Sequence, residues 1–293
     1  MNEHRDYLVK ALAFNSEIRI YASRTTQLVN KANQIAAAYP TGAAAIGRTL
    51  TATAMMGAML KGHETVTVRI NGGGPIGLIL ADATADGKVR GYASNPQVHF
   101  QYHTGKLNVG MAVGTEGDLY VTKDLGLKDY FTGQVPLQTG EIGDDFTYYF
   151  TQSEQTPSAV GLGVLVDPEN VILAAGGFII QVMPNASEST IAALEKSLST
   201  LRPVSDMIAE GITPEEMVGQ LVANDDFKIL ETLPLAFVCD CDKEKFMPGL
   251  ISLGVAELDE MIKEDGGAEA VCHFCREKYF FTVDELKELK KEC

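Results

Sequence analysis

The chain has 293 residues, 45% hydrophobic and 22% charged, which allows one sizeable core plus a smaller unit and argues against general disorder. Its 24 Lys and Arg against 39 Asp and Glu give a net charge of −15, so neither nucleic acid nor an anionic membrane is an expected partner. Residues 1–17, MNEHRDYLVKALAFNSE, carry acids and lack the apolar core of a secretory signal, which points to the cytoplasm.

IRIYASR (18–24) alternates apolar and polar residues and predicts a strand; beyond Thr25, Leu28, Ala32 and Ile35 fall on one helical face that AYPTG (38–42) closes. A second helix is predicted over about 42–61. Its apolar run TLTATAMMGAML, fenced by Arg48 and Lys61, falls short of the roughly 20 residues that span a bilayer. From Thr65 to Met183 strand patterns dominate: TVTVRI, IGLILADAT, KVRGYAS, DLYVTKD, DFTYYFTQS, GLGVLVD and VILAAGGFIIQVM. Helical spacing returns with Ile191, Leu194 and Leu198, and TPEE (213–216) has the form of a capping box with proline at the first helical position. One more helix is expected in PGLISLGVAELDEMIKEDGG (248–267). The predicted class is α+β, a large and mainly antiparallel sheet with covering helices. A core domain (1–184) leads through a helical linker (185–234) to a small C-terminal unit (235–293).

Two motifs in the core domain invite a functional reading. Gly72, Gly74 and Gly77 match a dinucleotide-binding fingerprint, but a strand pattern follows where a helix must, so a hairpin turn is expected. His99 and His103 could share one side of a strand, but the motif holds no third ligand and they read as surface histidines. No Walker, G-x-S-x-G or H-E-x-x-H sequence is present, and no enzyme is predicted.

Cysteine is absent before position 239, then comes as Cys239-x-Cys241 and, beyond the stretch 242–271, as Cys272-x-x-Cys275. Four sulfurs in two chelating pairs close a tetrahedral zinc site. In an extended C-x-C both sulfurs face one side while Asp240 projects away, and a tight turn does the same for C-x-x-C. His273 is an alternative ligand. Lys243, Lys245, Arg276 and Lys278 either offset the thiolate charge or form a solvated surface. Cys293 reads as a free, frayed thiol. Zinc either simply holds a small tail together or is meant to be lost. A disulfide within either pair closes a ring too small to constrain the unfolded chain, whereas structural zinc contributes on the order of 10 kcal/mol or more. Oxidation would therefore unfold the tail.

FVCDCDKEKF, SLGVAELDEMI and VCHFCREKYFFTVDEL, with NGGGPIGLILADATADGKVRGYASNP and DLGLKDYFTGQVPLQTGEIGDDFTYYFTQSEQTPSAVGLGV, make the whole chain resemble the heat shock protein 33 family, the redox-regulated chaperonins of bacteria. The resemblance implies one Zn²⁺ on Cys239, Cys241, Cys272 and Cys275, and disulfides Cys239–Cys241 and Cys272–Cys275 on activation. It also implies an ATP-independent holdase: inactive and monomeric when reduced, dimeric when oxidised, holding unfolding clients for later transfer to ATP-dependent foldases. The expected client surface is the linker, with Ile191, Leu194, Leu198, Met217, Leu221, Phe227, Ile229 and Leu230 covered while the tail is folded. Two other classes compete with this one. A zinc-ribbon regulator of nucleic acid would need a basic face, yet residues 239–293 hold 14 acids against 8 Lys and Arg. A thiol oxidoreductase would catalyse disulfide exchange on small substrates.

Overall fold

The computed structural model describes residues 5–223 and 226–293 and separates into two compact units, Met1–Val238 and Cys239–Cys293. Asn224 and Asp225, which the linker reading includes, lie outside the described residues, as do residues 1–4 of the N-terminal reading.

The first unit runs β1 (Tyr7–Ala13), β2 (Ile18–Arg24), α1 (Thr26–Ala36), α2 (Pro40–Gly57), β3 (Thr65–Asn71), β4 (Ile79–Thr84), β5 (Lys88–Ala93), α3 (Val109–Val113), β6 (Asp118–Asp124) and β7 (Phe131–Pro136). It continues through α4 (Gly143–Gln152), β8 (Ser158–Val166), β9 (Ile172–Val182), α5 (Glu188–Ser199), α6 (Val204–Ala209), α7 (Pro214–Leu221), β10 (Phe227–Pro234) and β11 (Ala236–Phe237). The strands divide between two sheets. One, ordered β10-β1-β2-β9-β8, is antiparallel throughout; the other, β11-β5-β4-β3-β6-β7, is antiparallel except where β11 runs parallel to β5.

Helix α2 lies between the sheets, against β3, β4 and β5 of one and β8 and β9 of the other. Except for Pro40 and Arg48 all its residues are buried, which its alanines, glycines and threonines permit by keeping the helix narrow. The Thr49, Thr51 and Thr53 hydroxyls donate to the carbonyls of Ala45, Gly47 and Thr49, so none of these buried hydroxyls goes unpaired. A Cβ on Gly42 would stand 2.0 Å from the Pro96 carbonyl oxygen, so only glycine fits there.

The glycine loop at 72–77 is the predicted turn: β3 and β4 pair directly across it, and Gly74 N–H donates to Val113 O at 2.9 Å. Two expectations fail. Asp145–Ser153, read as a strand from its Tyr and Phe, lies mostly in α4, where Phe146, Tyr149 and Phe150 bury one helical face. The Asp145 carboxylate anchors that helix by accepting N–H bonds from Gln138 at 2.7 Å, Thr139 at 3.1 Å and Ile142 at 2.9 Å. The linker, read as helical to residue 234, ends in strand β10, which begins by alternating half-buried and exposed positions and pairs with β1.

The helices of the linker are partnered within this unit. Leu194, Met217 and Leu221 are buried in one cluster with Val9, Ile18 and Ile20 of the five-stranded sheet. Leu198, Phe227 and Ile229 are half-buried on the same cluster, Ile191 is half-buried and Leu230 is 53% exposed. Among the described residues no helix is long and apolar enough to cross a membrane.

Asp6 leads into β1 and accepts the Leu28 N–H of α1 at 2.6 Å, while its carbonyl accepts the Leu235 N–H at 3.1 Å. Burial pushes its carboxyl up to about 6, against the pull of the Leu28, Gln27 and Thr26 N–H groups and the Arg24 guanidinium. Because the folded value is raised above the unfolded one, the stabilising contribution is complete below the ordinary value of 3.8 and is lost as pH rises through about 6. Urea unfolding at pH 7 and pH 5 is expected to show the wild type gaining roughly 1 kcal/mol more on acidification than Asp6→Asn. Equal gains in the two proteins would remove Asp6 as the source.

Candidate metal centre

The second unit contains α8 (Met247–Leu253), α9 (Val255–Glu260), β12 (Gly267–Val271), β13 (Lys278–Thr282) and α10 (Val283–Leu289). The single helix expected over 248–267 is broken at Gly254, whose φ of 86° no other residue adopts readily. Leu258, Phe281, Leu286 and Leu289 form the buried centre of a small apolar cluster. Helix α10 begins with a reciprocal capping box, Thr282 with Glu285, a T-x-x-E signal that was legible in the sequence and missed there.

Cys239 and Cys241 lie in an irregular stretch after β11, and Cys272 and Cys275 in the turn joining β12 to β13. That turn closes through Cys272 N–H to Glu277 O and Arg276 N–H to Cys272 O, both at 2.9 Å, with Arg276 in the left-handed region at φ 63°. The four Sγ atoms lie within 4.8 Å of one another. Cys239 Sγ is 3.7 Å from Cys272 Sγ, and Cys241 Sγ is 3.2 Å from Cys275 Sγ. A tetrahedron of sulfurs with zinc–sulfur bonds of about 2.3 Å has edges of about 3.8 Å. The donor set can therefore hold a tetrahedral metal ion with small adjustments of the shorter contact. All four cysteines are free thiols.

Backbone donors surround the sulfurs. Cys239 accepts from the N–H of Cys241, Cys272 from those of Cys275 and Phe274, and Cys275 from that of Glu277. Burial pushes the Cys239 and Cys275 thiols above the ordinary cysteine range. Burial raises Cys272 as well, but its two N–H donors and the neighbouring thiols outweigh it and hold this thiol below the range. A metal bound here would have to displace thiol protons, so its affinity should rise with pH.

The sequence-predicted neighbours are arranged differently. Asp240 projects away as expected, its side chain 71% exposed. Lys243 is paired with Glu285, Lys245 with Asp240 and Asp242, and Lys278 with Glu269, so each of these three lysines has a carboxylate partner. Lys243 also lies 4.9 Å above the Phe281 ring, and with Thr282 it holds the Glu285 carboxyl down to about 2. His273 is exposed and outside the clustered ligand atoms; Cys293 is exposed, with its thiol facing the Ile251 carbonyl at 3.4 Å. His99 faces Thr41 at 3.5 Å and, among the described residues, forms no metal cluster with His103. Sequence reasoning missed Tyr279, whose hydroxyl reaches Cys241 across 38 positions.

Fold and centre together define an α+β protein with a compact cysteine-centred unit following its larger one. The family model described as Hsp33 protein matches residues 6–282. Over 288 residues the chain is 58% identical to the 33 kDa chaperonin of Bacillus pumilus, covering 98% of this chain and 99% of that protein. The 33 kDa chaperonin of Bacillus subtilis is 56% identical with the same coverage of each. The crystal structure of the 33 kDa chaperonin (Heat shock protein 33 homolog) of Thermotoga maritima matches with a TM-score of 0.91 at 34% identity, over 99% of both chains. The chain belongs to the Hsp33 family.

Proposed function

We propose that this protein is a redox-regulated, ATP-independent holdase that binds unfolding proteins and prevents their aggregation under oxidative stress. The observation that carries this reading is the gathering of four free thiols within 4.8 Å in a unit whose own core buries only a few side chains. Cys239, Cys241, Cys272 and Cys275 are the ligands of one Zn²⁺ in the reduced form. Bound zinc supplies folding free energy, on the order of 10 kcal/mol or more in small domains.

Activation is oxidation within the local pairs, Cys239 with Cys241 and Cys272 with Cys275. In each pair one thiolate attacks a peroxide oxygen, breaking the O–O bond to leave a sulfenic acid and hydroxide. The second thiolate then displaces hydroxide from that sulfur and forms the S–S bond. Two thiolates and one peroxide become one disulfide and two hydroxides, and two ligands are gone. With both pairs oxidised the tail loses its ligand set and its fold. Residues 235–238 join that tail to β10, so the linker (185–234) is the segment next in line to loosen from its sheet. Its apolar side chains, Ile191, Leu194, Leu198, Met217, Leu221, Phe227, Ile229 and Leu230, then become the client surface. The active form is a cytoplasmic homodimer that passes clients to ATP-dependent foldases; it catalyses no reaction and binds neither nucleic acid nor membrane.

Zinc release, far-UV helicity and light scattering of a denaturing client, followed together during peroxide treatment, test this. Zinc and helicity should fall as suppression of aggregation appears. Full suppression by the reduced, zinc-loaded protein at ordinary temperature would sink the switch. Steady turnover of a small disulfide substrate would favour an oxidoreductase instead.

A further inference from the structure

Cys239, Cys272 and Cys275 accept hydrogen bonds from backbone N–H groups, donors that no ordinary side-chain substitution removes. Cys241 is met by a side chain. The Tyr279 hydroxyl donates to its carbonyl oxygen at 2.9 Å and stands 3.3 Å from its Sγ. Tyr279 is held in place for this: in β13 it pairs with Ala270 of β12, and its ring packs on Phe246 with centroids 5.2 Å apart. The tyrosine follows the second cysteine pair while its acceptor belongs to the first. One hydroxyl therefore ties the C-x-C stretch to the hairpin that carries C-x-x-C.

A thiolate sulfur has lone pairs and no proton, so toward it the hydroxyl can only donate, sharing its single proton between the Cys241 carbonyl oxygen and the sulfur as a three-centre bond. A hydrogen bond of this kind draws electron density from the sulfur. It fixes the direction of the metal-bonding lone pair and makes the sulfur a weaker nucleophile toward an oxidant. We propose that Tyr279 is a positioning residue of the metal centre, its hydroxyl holding the Cys241 sulfur in ligand geometry and restraining its attack on peroxide. This rests on the zinc reading of the four cysteines. Tyr279 thereby helps set how readily the centre opens, although it is neither a ligand nor one of the oxidised residues.

The test is Tyr279→Phe in the full chain, which keeps the ring on Phe246 and deletes only the hydroxyl. Loss of an outer donor typically costs 10–100-fold in metal affinity, so chelator competition should show zinc bound at least about 10-fold more weakly. Peroxide-driven zinc release should be faster by several-fold. With Co²⁺ as the probe, the thiolate-to-metal charge-transfer band should move to lower energy, because a sulfur without its donor gives up electrons more easily. A fluorinated tyrosine at 279, a stronger donor, should move the band the opposite way. Phe246→Leu, which disturbs packing and leaves the hydroxyl, should leave the band in place. An unchanged band and affinity in Tyr279→Phe, or an equal band shift in Phe246→Leu, would overturn the assignment. Failure of the wild type to bind Co²⁺ or Zn²⁺ would instead defeat the zinc reading itself.

Discussion

Replacing Cys272 by serine is expected to unfold the whole of residues 239–293 and to leave the first unit folded. Cys272 is the most buried of the five cysteines, at 4% exposure, and receives two backbone N–H donors in the hairpin turn. Serine offers a hydroxyl that stays protonated at neutral pH and is a poor partner for zinc. The unit around it has a core of four buried side chains, too few to order the segment Cys239–Cys293 without a metal. Metal content should fall from one equivalent to near zero. Far-UV helicity should drop by the share of α8, α9 and α10, and protease should cut after Val238 while the preceding chain resists. Cys293→Ser is the control and should change none of these. A Cys272→Ser protein that keeps one equivalent of zinc and resists cleavage within 239–293 would show that the centre does not hold the unit together.

The second large effect concerns which sulfurs join. After peroxide, peptide mapping is expected to find Cys239 joined to Cys241 and Cys272 to Cys275, with loss of helicity in the same sample. Proximity alone does not select these pairs, since close sulfur contacts cross between them, Cys239 with Cys272 and Cys241 with Cys275. The consequences differ sharply. Crossed disulfides span 33 and 34 positions, and in the chain-entropy description each such loop stabilises the fold by about 4 kcal/mol. They would lock the unit shut. Local disulfides close very small rings, constrain little, and remove the ligands. Crossed linkage together with retained helicity would exclude unfolding as the route to activity.

Much of this was legible in the chain. The α+β class, the buried small-residue helix and most strands followed from periodicity and turn residues. The four-cysteine cluster followed from spacing alone, because two short chelating pairs can meet wherever the chain folds back. The failures share a cause in tertiary packing. Strand β1 was not identified: it lies between β10 and β2 with residues of both faces buried, so YLVKALA lacks clean alternation. Aromatic content suggested a strand at α4, but Phe146, Tyr149 and Phe150 also fit one helical face, and Asp145 is held from outside the helix. The Tyr279 hydroxyl was invisible because its partner lies 38 positions away. Ligand identity is a local property of sequence; the groups that surround the ligands are assembled by the fold.

The placement of α2 bears on how damage is confined. A helix buried along almost its full length between two sheets gives both sheets a common inner wall. Neither sheet can peel away without stripping the other, so the interior of this unit should melt as one block rather than piecemeal. The same block contains no cysteine for an oxidant to modify. Oxidation of thiols is thereby confined to the chain beyond this block.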